Sequence, residues 1–212
     1  MRIIIVRHGE SIGNVDESAF TRIPDHAMEL TPRGAEQSIS AGHQLRALLG
    51  EDPVEVFVSP YLRTWQTYEL LDLGPNVVRV REEPRLREQD WGNLQDPVEQ
   101  VTQRAERDVF GHFFYRLHSG ESGADVYDRV SGFLAATLAD GRAMRGYPPE
   151  VNRRTLLFVT HGLTMRLAAM SLMQWRVAEF EALSNPDNAE FRVLERDAEG
   201  DWSLDIPFER WK

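Results

Sequence analysis

The sequence predicts an α/β fold: a three-layer sandwich, with a mostly parallel central sheet of about six strands and helices on both faces. Three observations carry that expectation. Arg2-Ile3-Ile4-Ile5-Val6 and Thr155-Leu156-Leu157-Phe158-Val159-Thr160 are apolar runs without polar alternation, the pattern of strands buried on both faces of a parallel sheet. Strand patterns alternate with helix patterns along most of the chain. Each of the two apolar runs leads directly into His-Gly, at His8-Gly9 and at His161-Gly162, and open α/β sheets collect ligands at the carboxyl ends of their strands. Gly9 is expected to let the backbone leave the strand sharply and let a ligand approach closely.

The remaining elements follow in order. Residues 11–18 are short and polar, and 20–30 form an irregular loop around Pro24. Thr31-Pro32 is an N-cap followed by proline at the first helical position, and Ala35, Ile39, Gly42, Leu45 and Leu49 continue at helical spacing to Gly50. Residues 54–58 read as a strand. Ser59-Pro60 repeats the cap signature, so Arg63 falls in a first helical turn and reaches back over the strand end. Residues 77–80 predict a third strand, and 83–93 a loop without period. A helix is expected from Pro97 to about Tyr115, broken at 119–123, then a second from Val126 ending near 141–146. After the strand at 155–160, helices at 163–172 and 177–183 precede two late strands at 190–194 and 202–206, paired around Glu199-Gly200-Asp201. The chain shows no solenoid repeat, low-complexity tract or linker. One domain spanning 1–212 is the economical expectation, with 93–120 as a helical excursion over the active-site edge.

Composition narrows the function classes. Hydrophobic content of 42% and charged content of 27% are those of an ordinary globular chain. No apolar run approaches a bilayer span, and no export signal opens the sequence, so a cytoplasmic location is expected. Cysteine is absent, which removes disulfide and thiolate chemistry. A net charge of −10 argues against nucleic acid or membrane as a partner. It also makes a basic cluster informative, because such a cluster stands against the global field.

Three strand ends deliver such a cluster: Arg7-His8, Arg63 and His161. An isolated arginine or histidine after a strand is more often an ordinary surface group. Convergence of two guanidiniums and two imidazoles on one sheet edge points instead to a tetrahedral oxyanion, since guanidinium forks match phosphate. A metal centre is disfavoured: neighbouring arginines repel cations, and no His-x-His, His-x-x-x-His or carboxylate cluster accompanies the histidines. No metal and no cofactor are therefore expected.

Arg7-His8-Gly9-Glu10-Ser11-x-x-Asn14 resembles the signature of the histidine phosphatase superfamily, the phosphoglycerate mutase-like enzymes. Leu30-Thr31-x-x-Gly34-x-x-Gln37, Ser59-Pro60-x-x-Arg63-Thr64-x-x-Thr67, Leu86-x-Glu88-x-x-x-Gly92, Gly120-Glu121-Ser122 and Thr160-His161-Gly162 resemble further family landmarks, in family order. The resemblance implies roles. His8 is the nucleophile that forms a phosphohistidine, and Arg7, Arg63 and His161 bind and stabilise the phosphoryl oxygens. Asn14 and Gly162 add neutral contacts to the phosphate. Glu88 is the general acid and then the base that activates water. Glu121 resembles a supporting position behind the site, or else an N-cap carboxylate for the following helix. Thr21 resembles a substrate-contacting position.

The family's mutases carry an arginine directly after that glutamate and a lysine about a dozen residues on. Here Gln89 follows Glu88, and 96–100 hold no Lys or Arg. The expectation is therefore a metal-independent phosphomonoester hydrolase acting on a small phosphorylated metabolite. A mutase is the alternative, and a non-catalytic phospho-ligand or partner-binding protein is the alternative from another class. A protein phosphatase would call for a more open cleft than the 93–120 excursion suggests. Within that excursion Arg107 and Arg116 are candidate substrate contacts, whereas Arg104 reads as part of a solvated helix face. Five tryptophans and the tail at 207–211 leave room for a homodimer contact.

Overall fold

The computed structural model describes residues 1–139 and 155–211. The expected end of the second long helix near 141–146 and the loop from Tyr147 lie outside the described residues. Six strands form one sheet: β1 (Arg2–Arg7), β2 (Val54–Val58), β3 (Val77–Glu82), β4 (Thr155–Thr160), β5 (Phe191–Arg196) and β6 (Trp202–Leu204), in the spatial order β3-β2-β4-β1-β5-β6. β3, β2, β4 and β1 run parallel; β5 pairs antiparallel with β1, and β6 with β5.

β1, β2 and β4 are buried along both faces, and their side chains divide with period two. Ile3, Ile5, Phe57, Leu156 and Phe158 pack on one face under α5 (Gly123–Ala139) and α6 (Gly162–Met173). Ile4, Val6, Val54, Val56, Val58, Leu157 and Val159 pack on the other, under α2 (Pro32–Leu49) and α3 (Leu62–Leu71). Each fully buried branched or aromatic side chain contributes roughly 1.5–3 kcal/mol. A one-residue register slip would exchange the two sets and empty both cores. The remaining helices are the single turn α1 (Ile12–Val15), α4 (Pro97–Phe110) in the excursion, and α7 (Val177–Glu181). Among the described residues no helix is long and apolar enough to cross a membrane.

Three expectations need local correction. α3 starts at Leu62 with Tyr61 as its N-cap residue, because the Ser59 hydroxyl is taken by His161 at 2.8 Å. α4 stops at Phe110, where Gly111 turns to φ 100, a conformation glycine tolerates and a helix cannot continue. Gly9 serves packing rather than ligand approach: a Cβ there would lie 2.4 Å from the Gly34 carbonyl oxygen of α2.

Candidate active site

The ends of β1, β2 and β4 are level, with Val6 and Val58 both opposite Val159. The chain therefore releases His8, Ser59 and His161 side by side. The His8 amide still donates to the Thr160 carbonyl at 2.9 Å, and that of Ser59 to Val159 at 3.0 Å. His8 is 3% exposed. Its Nδ1 lies 2.7 Å from the Gly9 carbonyl oxygen, and Arg63 Nε donates to its Nε2 at 3.3 Å. A carbonyl only accepts and a guanidinium only donates, so Nδ1 carries the proton and Nε2 the lone pair. Burial, then the charges of Arg63 and Arg7, hold the ring well below the ordinary histidine value of 6.5. His8 is thus held as a neutral imidazole whose lone-pair nitrogen faces Arg63.

Arg63, in the first turn of α3, is clamped by Asp25, whose carbonyl accepts from NH1 at 2.7 Å and whose carboxylate accepts at 2.9 Å. The same guanidinium lies 4.8 Å from the Tyr61 ring centroid. Arg7 donates to the Pro186 carbonyl, and its Nε is buried without a partner among the described residues. The His161 ring stands edge-on to His8 at 5.2 Å and to Tyr61 at 5.0 Å. Its Nε2 meets Ser59 Oγ, while its Nδ1 is buried, unpartnered, and 3.8 Å from Glu88 Oε2.

Glu88 follows a short turn over Pro84–Leu86. Three side chains tie this stretch to the sheet and helices: Thr160 to the Leu86 carbonyl at 2.7 Å, Thr164 to that of Arg87 at 3.1 Å, and Arg129 to that of Glu88 at 3.0 Å. Glu121 locks the arrangement by accepting from Arg87 and from Arg129 Nε and NH2. Glu121 is therefore a brace behind Glu88 and not an N-cap, a role that Asp25 plays for Arg63. Burial, with Asp25 adding, raises the Glu88 pKa above its ordinary 4.5 against the opposing pull of Arg63 and Arg7. These groups line a cavity of about 230 Å³: Arg7, His8, Arg63 and Glu88, with Asn14, Asp25, Asn185, Phe20, Trp91 and Leu94 also in its wall.

The profile of the histidine phosphatase superfamily (branch 1) matches residues 3–206. The chain belongs to this superfamily. It is 44% identical to the phosphoglycerate mutase-like protein AT74 of Arabidopsis thaliana, over 97% of this chain and 68% of that protein. It is 39% identical to the broad-range acid phosphatase DET1 of Saccharomyces cerevisiae, over 92% of this chain and 85% of that protein. Among solved structures, a mycobacterial glucosyl-3-phosphoglycerate phosphatase in complex with vanadate superposes with a TM-score of 0.75 at 25% identity, covering 98% of each chain.

Against this histidine phosphatase frame, the sequence-derived candidates divide. Arg7, His8, Asn14, Arg63 and Glu88 line the cavity together. His161 and Gly162 are buried and do not themselves line it, though His161 Nδ1 comes within 3.8 Å of Glu88 Oε2 at the cavity. Asn14 Oδ1 accepts from the Ser11 amide, the Ser11 hydroxyl and Asn188, which leaves its amide nitrogen as the group free to donate elsewhere. Thr21, Arg107 and Arg116 stand off. The Thr21 hydroxyl donates to Ser18 O in the exposed turn. Arg107 lies over Trp91 and donates to buried Gln89. Arg116 points outward to Asp125 at 2.7 Å. Arg104 does reach the cavity, where it pairs with Glu17. Asp25, Tyr61 and Asn185 are site residues that the sequence did not announce. They sit in irregular or cap positions, where polar residues usually signal only a turn.

His8, Glu88 and His161 also bring one donor atom each within 4.8 Å of the others, a set that a metal ion could use by type. The Arg63 N–H directed at His8 Nε2 places a fixed positive charge against one of the three ligand atoms. The arrangement favours an anion over a cation.

Proposed function

We propose that the protein is a metal-independent phosphomonoester hydrolase working through a phosphohistidine on His8, with a small phosphorylated metabolite as substrate. The observation that carries this is the tautomer of His8: two hydrogen bonds, to Gly9 and from Arg63, leave Nε2 unprotonated in a cationic pocket. His8 Nε2 attacks phosphorus while the bond to the ester oxygen breaks and Glu88 gives its proton to that oxygen. Glu88, now a carboxylate, takes a proton from water, whose oxygen attacks the phosphohistidine and releases inorganic phosphate with His8 restored. Arg7, Arg63 and His161 hold the equatorial oxygens. The unpartnered nitrogens Arg7 Nε and His161 Nδ1 are the donors such oxygens would satisfy.

Hydrolysis is favoured over a mutase reaction by the state of the cations. A mutase must grip a second anionic group. Gln89, fully buried, binds the Glu121 carbonyl and Arg107 instead, and Arg104 in the cavity wall is already paired with Glu17. The acid phosphatase and sugar-phosphoglycerate phosphatase among the relatives agree in class. The test is p-nitrophenyl phosphate turnover in EDTA by wild type and His8→Ala, with acid-labile protein phosphorylation followed in parallel. Turnover and an acid-labile phosphoprotein, both lost in the variant, are expected. Folded wild type with neither signal would favour a ligand-binding protein, and turnover abolished by EDTA would overturn metal independence.

A further inference from the structure

We propose that Asn185 is an additional ligand of the phosphoryl group, donating its side-chain amide to a phosphoryl oxygen, and that the buried Arg166 is the residue that positions it. This rests on the phosphomonoesterase reading above. Asn185 reaches the cavity from the segment between α7 and β5, beside the end of β4, and lines it together with Arg7, His8 and Glu88.

Two contacts define how its side chain is presented. Arg166 Nε lies 2.8 Å from Asn185 Oδ1, and since a guanidinium offers only donors, the atom facing it is the carbonyl oxygen. The amide nitrogen is thereby turned away from Arg166, and it donates to no described residue. The carboxamide also lies against the backbone of Gly162, where a Cβ would come within 2.7 Å of Asn185 Cγ. Glycine at the start of α6 thus makes room for this side chain.

Arg166 is itself held fast. It is 1% exposed, donates to the Leu183 carbonyl at 2.6 Å, and lies 4.7 Å from the Phe180 ring centroid. A buried guanidinium is costly unless its geometry is well satisfied, and this one spends its Nε on orienting a single neutral amide. Its charge also polarises that amide and strengthens the N–H as a donor. Asn14, which also lines the cavity, follows the same design: its oxygen is saturated by donors, so its nitrogen is the group left to donate. Two neutral amides can share the charge of a phosphoryl group without adding a third cation beside Glu88, which must keep its proton to act as an acid.

The experiment compares wild type, Asn185→Ala, Asn185→Asp, Arg166→Lys and the Asn185→Ala/Arg166→Lys double variant. Its readouts are the inhibition constants of orthovanadate and inorganic phosphate, p-nitrophenyl phosphate kinetics and the melting temperature. Asn185→Ala is expected to weaken vanadate by about ten- to a hundred-fold and to lower kcat more than it raises KM. Asn185→Asp keeps an acceptor for Arg166 but removes the donor, so it is expected to lose vanadate affinity while melting no lower than wild type. Arg166→Lys should show a smaller loss, and the double variant no more than Asn185→Ala alone, because Arg166 acts through Asn185. Unchanged vanadate and phosphate constants in Asn185→Ala, with only a lower melting temperature, would reduce the pair to a structural latch and overturn the proposal. Wild type that neither turns over ester nor binds vanadate would instead overturn the phosphomonoesterase reading beneath it.

Discussion

At the strand ends that line the cavity, polar side chains are buried and each is oriented by backbone or by a neighbouring side chain; α4, which contributes Arg104 to the same cavity, presents the reverse arrangement. Gln100, Gln103 and Arg107 are 2–9% exposed on its inner face, while Val98, Val101 and Val109 are 68–88% exposed on its outer face. The strand-end cluster is built on three strands whose register the core enforces, so its geometry is as rigid as the sheet. Helix α4 is held by side-chain bonds: Gln103 accepts from the His118 amide, Arg107 reaches Gln89, and Arg104 reaches Glu17. Each such bond is worth about 1 kcal/mol net.

The largest effect should come from the strand-end cluster. His8→Ala is expected to lower kcat by about 10⁴-fold or more and to abolish the phosphoprotein, while circular dichroism stays native. Loss of activity without loss of phosphoprotein would move the nucleophile elsewhere. Glu88→Gln should cost about 10²–10⁴-fold, more with alkyl phosphates than with p-nitrophenyl phosphate, whose leaving group needs little protonation. The pH profile sharpens this. The proposed mechanism requires neutral His8, whose pKa is held below 6.5, and protonated Glu88, whose pKa is raised above 4.5. Activity should fall in acid as His8 takes a proton and fall toward alkaline pH as Glu88 loses one, and Glu88→Gln should remove the alkaline limb alone.

Stability should follow the histidines with a definite sign. Below about 6.5 the unfolded chain protonates His8 and His161 while the fold, which keeps both neutral, does not. The unfolded state then binds more protons, so stability is lost as pH falls, by up to about 1.4 kcal/mol per pH unit for each histidine. Denaturant midpoints between pH 7 and 5 measure this, and His8→Ala should make the slope shallower. Beside α4, Gln89→Arg would set two guanidiniums together in a buried space, costing about 3 kcal/mol and conferring no mutase activity; a gain of mutase turnover would show that this region can be re-aimed. Val101→Lys on the outer stripe should change stability by less than about 0.5 kcal/mol, and a larger loss would mean that this face is covered in solution.

The contrast also explains which parts were legible in the sequence. His8, Arg63 and His161 follow apolar runs or cap signals, and Arg7 ends such a run, so local pattern placed each on one sheet edge. Glu88 sits on a loop without period, and only its resemblance to a family landmark singled it out. Arg107 and Arg116 looked like substrate contacts because charge on a helix is visible in sequence while its direction is not. Arg107 turned inward to Gln89, Arg116 outward to Asp125, and Arg104, taken for a solvated residue, reached the cavity.

The sequence by itself determined the sheet, its parallel centre and the strand ends that carry the chemistry, because burial on both faces and the absence of polar alternation are local properties of a run. Tertiary structure alone decided what surrounds that edge. Asp25 on Arg63, Glu121 behind Glu88, and Asn185 against Gly162 and Arg166 are pairs separated by 19 to 38 positions in the chain. Each is made by side chains whose direction depends on packing elsewhere. Local pattern fixes where a backbone goes; the partner a polar side chain finds is settled only when distant segments meet.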